Sequence, residues 1–513
     1  MLSYISMAPS RMPLHLGTPA QFEALRELLR KADYTEAAIS ARLEIPRFVN
    51  FGSVRPGTRL TEKLATPFDV LTCLFLECEP ASREDLLALL GAGALDLMEQ
   101  LGLLLPDPAD AARVVSTIGL CPTRGVYLAN DRGGELGSLA EDVVYPAILE
   151  NTQHFLDIIP ALPCDRFLDL GAGTGVAALI AAKGYAAHVW ACDIAQRSAH
   201  FSEFNRRLNG LDNVTVGCGD LYAPVEGLTF DRIVTHPPYV PVLKPTCIFR
   251  DGGDDGEQIV RRVIEGLPQH LAPGGRFYAL TLLADREGES VEDRIRKWLR
   301  ERSGEFDLAL IAETAREPAD FVGRAMQKGT HRPEELQYWS SLFRTLKVRY
   351  LVYGCVLIQR HSAERTPFTI RLQKGPDSGP AEAEWALDWN TAASQPGADG
   401  RLLEARPRRS PHLYLAVLHR MNDGVLVPHE FLLRVKHPFE GECKCPAWVT
   451  ALIEKCDGIL SGHQLLELLK QLELIHPDTE SSEFAEILRT LISSGFLEVD
   501  SHRIPPIRQP LPS

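Results

Sequence analysis

Phe167-Leu168-Asp169-Leu170-Gly171-Ala172-Gly173-Thr174-Gly175, followed by the apolar helical run Val176 to Lys183, is the stretch that decides the fold of this 513-residue chain. A short apolar strand gives way to three glycines at alternate positions, and a helix opens at once. Glycines at such a turn let the chain reverse tightly and let backbone approach a ligand closely. Taken alone the pattern is common to many strand-to-helix turns, so its meaning rests on what surrounds it.

Working outward, the chain from Arg166 to about Arg360 alternates β-branched apolar runs with helical stretches. Strands are predicted at Phe167–Leu170, His188–Asp193, Val214–Cys218, Asp231–Thr235, Arg276–Leu283, Leu308–Ala312 and Tyr350–Ile358. Alternation of this kind predicts a parallel sheet covered by helices on both faces. Open sheets of this class bind ligands beyond the carboxyl ends of their strands, and three of those ends carry candidate residues. The second strand closes on Asp193, about twenty positions past the glycine loop, where a carboxylate can accept both ribose hydroxyls of a nucleoside. The third strand is followed by Cys218-Gly219-Asp220-Leu221, in which Asp220 can meet an adenine amino group or serve as an ordinary turn residue. The fourth strand ends in Thr235-His236-Pro237-Pro238-Tyr239. Two prolines cannot continue a ladder, so they form a rigid corner that projects carbonyls and flanking side chains into the cleft. The aromatic after it can stack a planar substrate. No Gly-Lys-Ser/Thr follows the glycines, which excludes a P-loop.

Together these motifs resemble the class I methyltransferases of the "small methyltransferase" group, which includes HemK-like glutamine methyltransferases and the adenine- and guanine-N methyltransferases of nucleic acid. The resemblance covers residues from about 145 to 285. It implies an α/β fold with a seven-stranded, mostly parallel Rossmann-like sheet over residues 140–362, and S-adenosylmethionine as cofactor. It implies Asp169, Gly171, Gly173 and Gly175 around the methionine part, Asp193 on the ribose, Asp220 near the adenine, and His236, Pro237, Pro238 and Tyr239 around the target nitrogen. Phe249-Arg250-Asp251-Gly252-Gly253 also resembles a segment of the group, with Arg250 or Asp251 expected to close the cleft over substrate. One position departs from the pattern: His236 stands where the group has Asn, Asp or Ser. A neutral imidazole can accept the same hydrogen bond from an N–H and can also take a proton; a protonated one cannot accept. The expected activity is N-methylation of a protein or RNA target, or of a peptide or small molecule. The alternative is a cofactor-binding scaffold without turnover.

The flanks read differently. Residues 1–17 are expected to be a disordered lead. Residues 18–115 read as a helical, winged-helix-like domain, in which Ser82 caps a helix that opens with acidic residues. Residues 372–400, rich in Gly, Pro, Ala, Ser and Asp, read as a linker or loop. Residues 401–513 read as a C-terminal winged-helix-like α+β domain. Its helix Ser461 to Glu473 carries Glu467, Lys470 and Glu473, which disfavours a nucleic-acid recognition helix.

Bulk properties bound the rest. The length implies two to four domains. A net charge of −14 disfavours a protein that coats itself with nucleic acid, although Arg401, Arg406, Arg408, Arg409, Arg420, His412 and His419 form a basic-rich stretch. The eleven cysteines lack a disulfide-framework spacing and fit reduced thiols in a cytoplasmic protein. Cys443 and Cys445 have no second pair nearby to complete a zinc site, so no metal is expected. No apolar run is long enough to span a bilayer, so no membrane partner is expected. The sequence leaves the oligomeric state open.

Overall fold

The structure is a computed structural model that describes residues 12–46, 48, 63–132, 142–244, 247–328 and 331–506. The chain divides into two compact units, residues 1–300 with 316–351, and residues 301–315 with 352–513.

The first unit begins with helices α1 (Pro19–Lys31), α2 (Glu36–Leu43) and α3 (Pro67–Phe75), then strand β1 (Ala81–Ser82), helices α4 (Arg83–Leu90) and α5 (Ala92–Gln100), and strands β2 (Leu104–Asp107) and β3 (Asp110–Ser116). Ser82 accepts the N–H of Asp85 at 3.0 Å, and Glu84 and Asp85 lie in the first turn of α4, where acidic groups meet the positive helix end. Strands β1, β3 and β2 form a small antiparallel sheet. A hairpin follows, β4 (Ile118–Thr123) with β5 (Val126–Asp131). The expected lead does not extend through residues 12–17. Leu14 is buried, and the N–H of His15 donates to the carbonyl of Leu101 at 3.0 Å. Residues 1–11 of that expected lead lie outside the described residues.

After helix α6 (Glu150–Asp157) comes the wound sheet. Strand β6 (Cys164–Leu170), helix α7 (Val176–Gly184), strand β7 (Ala186–Asp193), helix α8 (Gln196–Leu208), strand β8 (Val214–Cys218), strand β9 (Phe230–Thr235), helix α9 (Gln258–His270) and strand β10 (Leu271–Arg286) alternate as expected. Within this unit the strand order is β10-β9-β6-β7-β8, and all four pairings are parallel. The chain therefore winds outward from β6 to β8, then returns to the other side of β6. That reversal leaves a crevice between β6 and β9, where helices depart in opposite directions. The strands are near-continuous apolar runs because both faces are covered: Phe167, Leu168, Val189, Ile233, Val234 and Phe277 are fully buried. Helices α10 (Val291–Trp298), α11 (Pro318–Lys328) and α12 (Pro333–Thr345) complete the unit.

The second unit contains strands β11 (Phe306–Arg316), β12 (Val348–Arg360, from Val352 onward) and β13 (Thr369–Lys374), helices α13 (Pro380–Ala393) and α14 (Ala398–Glu404), strand β14 (Arg408–Arg409), strands β15 (Tyr414–Asn422), β16 (Val425–Val435) and β17 (Phe439–Cys445), helices α15 (Ala447–Lys455), α16 (Gly462–Gln471) and α17 (Ser481–Ser493), and strand β18 (Leu497–Glu498). Its main sheet runs β15-β16-β17-β13-β11-β12.

Two expectations are corrected here. Residues 372–400 are not a linker: α13 opens with Pro380 at its first turn and buries Ala383, Trp385, Ala386, Leu387 and Trp389. Small and polar residues gave the segment a loop-like composition, but two tryptophans anchor it in the core, and area burial outweighs composition. Residues 401–513 are likewise more than one winged-helix-like domain. Their first part forms an antiparallel meander, β15 to β17, with Asp423 and Gly424 both at positive φ in the two-residue turn between β15 and β16. Among the described residues, no helix is long and apolar enough to cross a membrane.

Candidate functional site

Strand register brings the motifs to one edge. Leu170, the last residue of β6, pairs with Cys192 on β7 and with Thr235 on β9, and Asp193 pairs with Cys218 on β8. The hydroxyl of Thr235 donates to the carbonyl of Leu170 at 2.8 Å, which ties the two strand ends flanking the crevice. Gly171 and His236 are the next residues on these neighbouring strands. The glycine loop, Asp193 and the diproline corner thus share the carboxyl edge at the point where the winding reverses.

The glycine loop is held from below. The N–H groups of Gly171 and Ala172 both donate to the carbonyl of Cys192, at 2.8 and 3.1 Å. On α8 the Ser202 hydroxyl donates to the carbonyl of Gly173 at 2.9 Å, and the Asn205 amide donates to that of Thr174 at 2.9 Å. Gly171, Gly173 and Gly175 all have positive φ, at 73°, 56° and 80°. A Cβ built on Gly175 would come within 3.1 Å of the Ser202 hydroxyl, whereas at Gly171 and Gly173 it would meet nothing within 4 Å. The first two glycines therefore border open space. Positive φ already favours glycine at these positions, and the open space beside them leaves room for a ligand to approach the backbone.

Asp193 links this loop to the next helix. Its carboxylate accepts the N–H of Gly173 at 2.9 Å and that of Ala195 at 2.9 Å. Burial raises its pKa, and these backbone N–H groups work against the rise. The Ser198 side chain and the Ile194 N–H also lie against the carboxylate and lower its pKa. Asp169, fully buried one turn behind, accepts the N–H of Ala178 at 3.2 Å; desolvation pushes its pKa up to about 7. Asp220 is placed differently. Its carboxylate pairs with Arg262 of α9 at 2.6 Å and is half exposed, although Gly219 is fixed by a bond from its N–H to the carbonyl of Asp193. The structure thus brings Asp220 to the same edge but gives its side chain an ionic partner.

Beyond β9, His236 stacks on Phe155 of α6 with ring centroids 5.4 Å apart, and Tyr239 lies 6.1 Å from it. Burial, aided by the nearby His154, lowers the His236 pKa to about 4, so the ring is neutral at pH 7. Its Nε2 is buried and has no hydrogen-bond partner. A ring nitrogen in that state is costly unless a ligand pairs with it. The segment after the corner folds back over it: Val240 and Val242 donate to the carbonyls of Arg250 and Gly253, and Gly252 donates to that of Val240. A Cβ on Gly252 would sit 2.8 Å from the Pro238 carbonyl oxygen, so only glycine allows this approach.

Arg250 and Asp251 build that loop. Asp251 is buried and accepts from Arg250 Nε at 2.7 Å and from the Cys247 N–H at 2.9 Å; Arg250 also reaches Glu335 of α12 at 3.3 Å. Helix α12 adds two bonds, Trp339 Nε1 to the Pro241 carbonyl at 2.8 Å and Tyr338 to the Asp254 carbonyl at 2.6 Å. The buried Glu257, which accepts from Arg294, Arg286 and the Ala284 N–H, fixes the start of α9. None of Phe155, Ser202, Asn205, Glu257 or Trp339 carries a local motif, so sequence reading passed over them. An open depression of about 590 Å³ lined by Glu289, Asp293, Arg296 and Lys297 shares no residue with this site. Among the described residues, no cluster of three or more His, Cys, Asp or Glu side chains could hold a metal ion.

Residues 147–295 match the family model of the methyltransferase small domain. A ribosomal protein uL3 glutamine methyltransferase of Bradyrhizobium diazoefficiens is 39% identical over 123 residues, 22% of this chain and 39% of that protein. Release factor glutamine methyltransferases of Moorella thermoacetica and Gloeobacter violaceus are 33% and 31% identical, covering 30% and 23% of this chain. The chain spans 39%, 60% and 46% of the length of these three relatives. Residues 147–295, which hold the glycine loop, Asp193 and the diproline corner, are thus similar to the methyltransferase small domain.

Proposed function

We propose that this chain is an S-adenosylmethionine-dependent N-methyltransferase whose acceptor is a protein side-chain amide. One observation carries the reading: a rigid corner with an unpartnered, neutral imidazole nitrogen lies on the strand next to a glycine loop bordering open space. When bound, the cofactor would supply a methyl group already activated on a sulfonium; its transfer to nitrogen would break the S–C bond, and the acceptor's N–H proton would leave to water. The chain's own residues then need mainly to bind and align. Gly171 and Gly173 would face the cofactor's amino-acid part, and the Asp193 carboxylate its ribose, sharing with the donors it already holds. Asp169 would act through the loop, and Asp220 would reach the adenine only by sharing with Arg262.

His236 would accept the acceptor's N–H at Nε2. A ring with a pKa of about 4 is a weak base, so it orients the amide and does not deprotonate it at rest. The carbonyl of Pro237 would take a second N–H, and Tyr239 would stack on the planar amide. Arg250 and Asp251 would shape the loop that closes over the substrate, without touching the reacting atoms. Relatives named as glutamine methyltransferases of a ribosomal protein and of release factors support an amide in a protein over a base in RNA. The seven-stranded sheet belongs to this proposal, as does the winged-helix-like reading of residues 18–115; the order α3-β1-α4-α5-β2-β3 suits such a unit.

The test is formation of S-adenosylhomocysteine by the purified chain with cell extract, pretreated with protease or with nuclease. Loss of signal after protease alone is expected. Loss after nuclease alone would move the acceptor to RNA. Absence of S-adenosylmethionine binding by calorimetry would overturn the reading altogether.

A further inference from the structure

The outer edge of the second unit's sheet is a nine-residue strand with apolar side chains in water. On β15, Tyr414, Leu415, Leu418 and Met421 are exposed, and Val425 and Leu426 continue the exposure across the turn into β16. A long apolar edge strand offers unpaired backbone groups along its free side, and proteins normally block such an edge with charge, proline or a cover. Here β15 carries a single full charge, Arg420, and no proline; the ladder to β16 shifts register between Leu418 and His419, but the extra residue, His429, is on β16, so β15 itself inserts no residue. Among the described residues, β15 pairs only with β16.

We infer that β15 pairs with β15 of a second copy of this chain, antiparallel and about a two-fold axis at Leu418. The sequence of the strand is self-complementary in that register. Leu415 falls opposite Met421 of the other copy, Leu418 opposite itself, Ala416 opposite Arg420, and Val417 opposite His419. Apolar residues that are 49%, 64% and 50% exposed (Leu415, Met421 and Leu418) would cover one another, and no like charges would face each other. Charge selects the same occupant. The hairpin 414–435 holds Arg420 and Arg434 against Asp423 and Glu430, so it is neutral on a chain of net charge −14. Two copies repel over most of their surfaces but can meet here. A strongly basic partner finds no counter-charge on this strand, and a nucleic acid finds Arg420 alone. The symmetry closes after two copies, which caps the assembly as a dimer.

The experiment is the solution mass of the full chain by light scattering at micromolar concentration, with circular dichroism as the folding control. Twice the chain mass is expected, with association strengthened by added salt because screening relieves the repulsion between the bodies. Leu418→Lys places two ammonium groups at the axis and should give the monomer. Leu418→Glu should also be monomeric, and mixing it with Leu418→Lys should restore the dimer. Should Leu418→Lys fail to fold, Met421→Lys near the turn serves in its place. A monomeric wild type would overturn the inference, as would a dimer that both lysine variants leave intact, since a different face would then hold it.

Discussion

Gly173→Ala separates a glycine kept for the fold from one kept for a ligand. Its φ of 56° lies in the left-handed region, where an L-residue costs about 1–2 kcal/mol relative to glycine. The new methyl group would meet nothing within 4 Å in the free protein, so no clash adds to that cost. The bonds from Gly173 N–H to Asp193 and from Ser202 to the Gly173 carbonyl involve backbone atoms and survive the change. The variant should therefore fold, with a melting temperature lower by a few degrees, at roughly 2–4 °C per kcal/mol for a domain of this size. Its binding of S-adenosylmethionine should fall at least about tenfold, or ~1.4 kcal/mol, because the methyl fills the space that a cofactor's close approach requires. Gly175→Ala is the control. It would crowd Ser202 at 3.1 Å, so it should lose more stability and affect binding only through the loop. Thermal unfolding and titration calorimetry on the same samples read both quantities. Unchanged cofactor affinity in a folded Gly173→Ala would refute the placement of the ligand over this loop.

Other outcomes follow from the same geometry. His236→Ala should abolish turnover while S-adenosylmethionine affinity stays within about twofold, as judged by single-turnover methyl transfer beside calorimetry. Asp193→Ala should weaken cofactor binding more than tenfold and Asp193→Asn less, since Asn still accepts the Gly173 N–H. The pH dependence of stability has two opposed parts. His236 titrates near 6.5 when unfolded and about 4 when folded; its neutral burial is harmless above pH 6.5 and becomes a penalty as pH falls, about 3 kcal/mol by pH 4. His236→Gln should remove that loss in urea unfolding curves measured from pH 7 to pH 4. Asp169 has the opposite sign: its raised folded pKa, about 7, favours the fold below pH 3.8, and this is lost as pH rises through 7. Asp169→Asn, which still accepts from Ala178, should therefore raise the urea midpoint above pH 7.

Much of the site was legible because its chemistry is local in sequence. Three glycines between a strand and a helix, an acidic strand end and two prolines each have a meaning over five to seven residues. The partners of those residues were not legible. Phe155 lies 81 positions before His236, and Arg262 lies 42 positions after Asp220; only the winding of the sheet brings them together. Composition misled at residues 372–400, where small and acidic residues concealed the buried tryptophans of α13.

By itself, then, the sequence determined the alternation of strand and helix, the positions where backbone must turn, and the side chains available at each strand end. These follow from local sterics and hydrophobic period, which need no knowledge of distant residues. The tertiary structure alone decided that the glycines border open space, that Asp220 is ion-paired, and that Arg250 joins Asp251 in its own loop to Glu335 of α12. It also decided that His236 is neutral with an unpartnered nitrogen. Desolvation and hydrogen-bond supply depend on what packs nearby, and packing is set by strands and helices far apart in the chain.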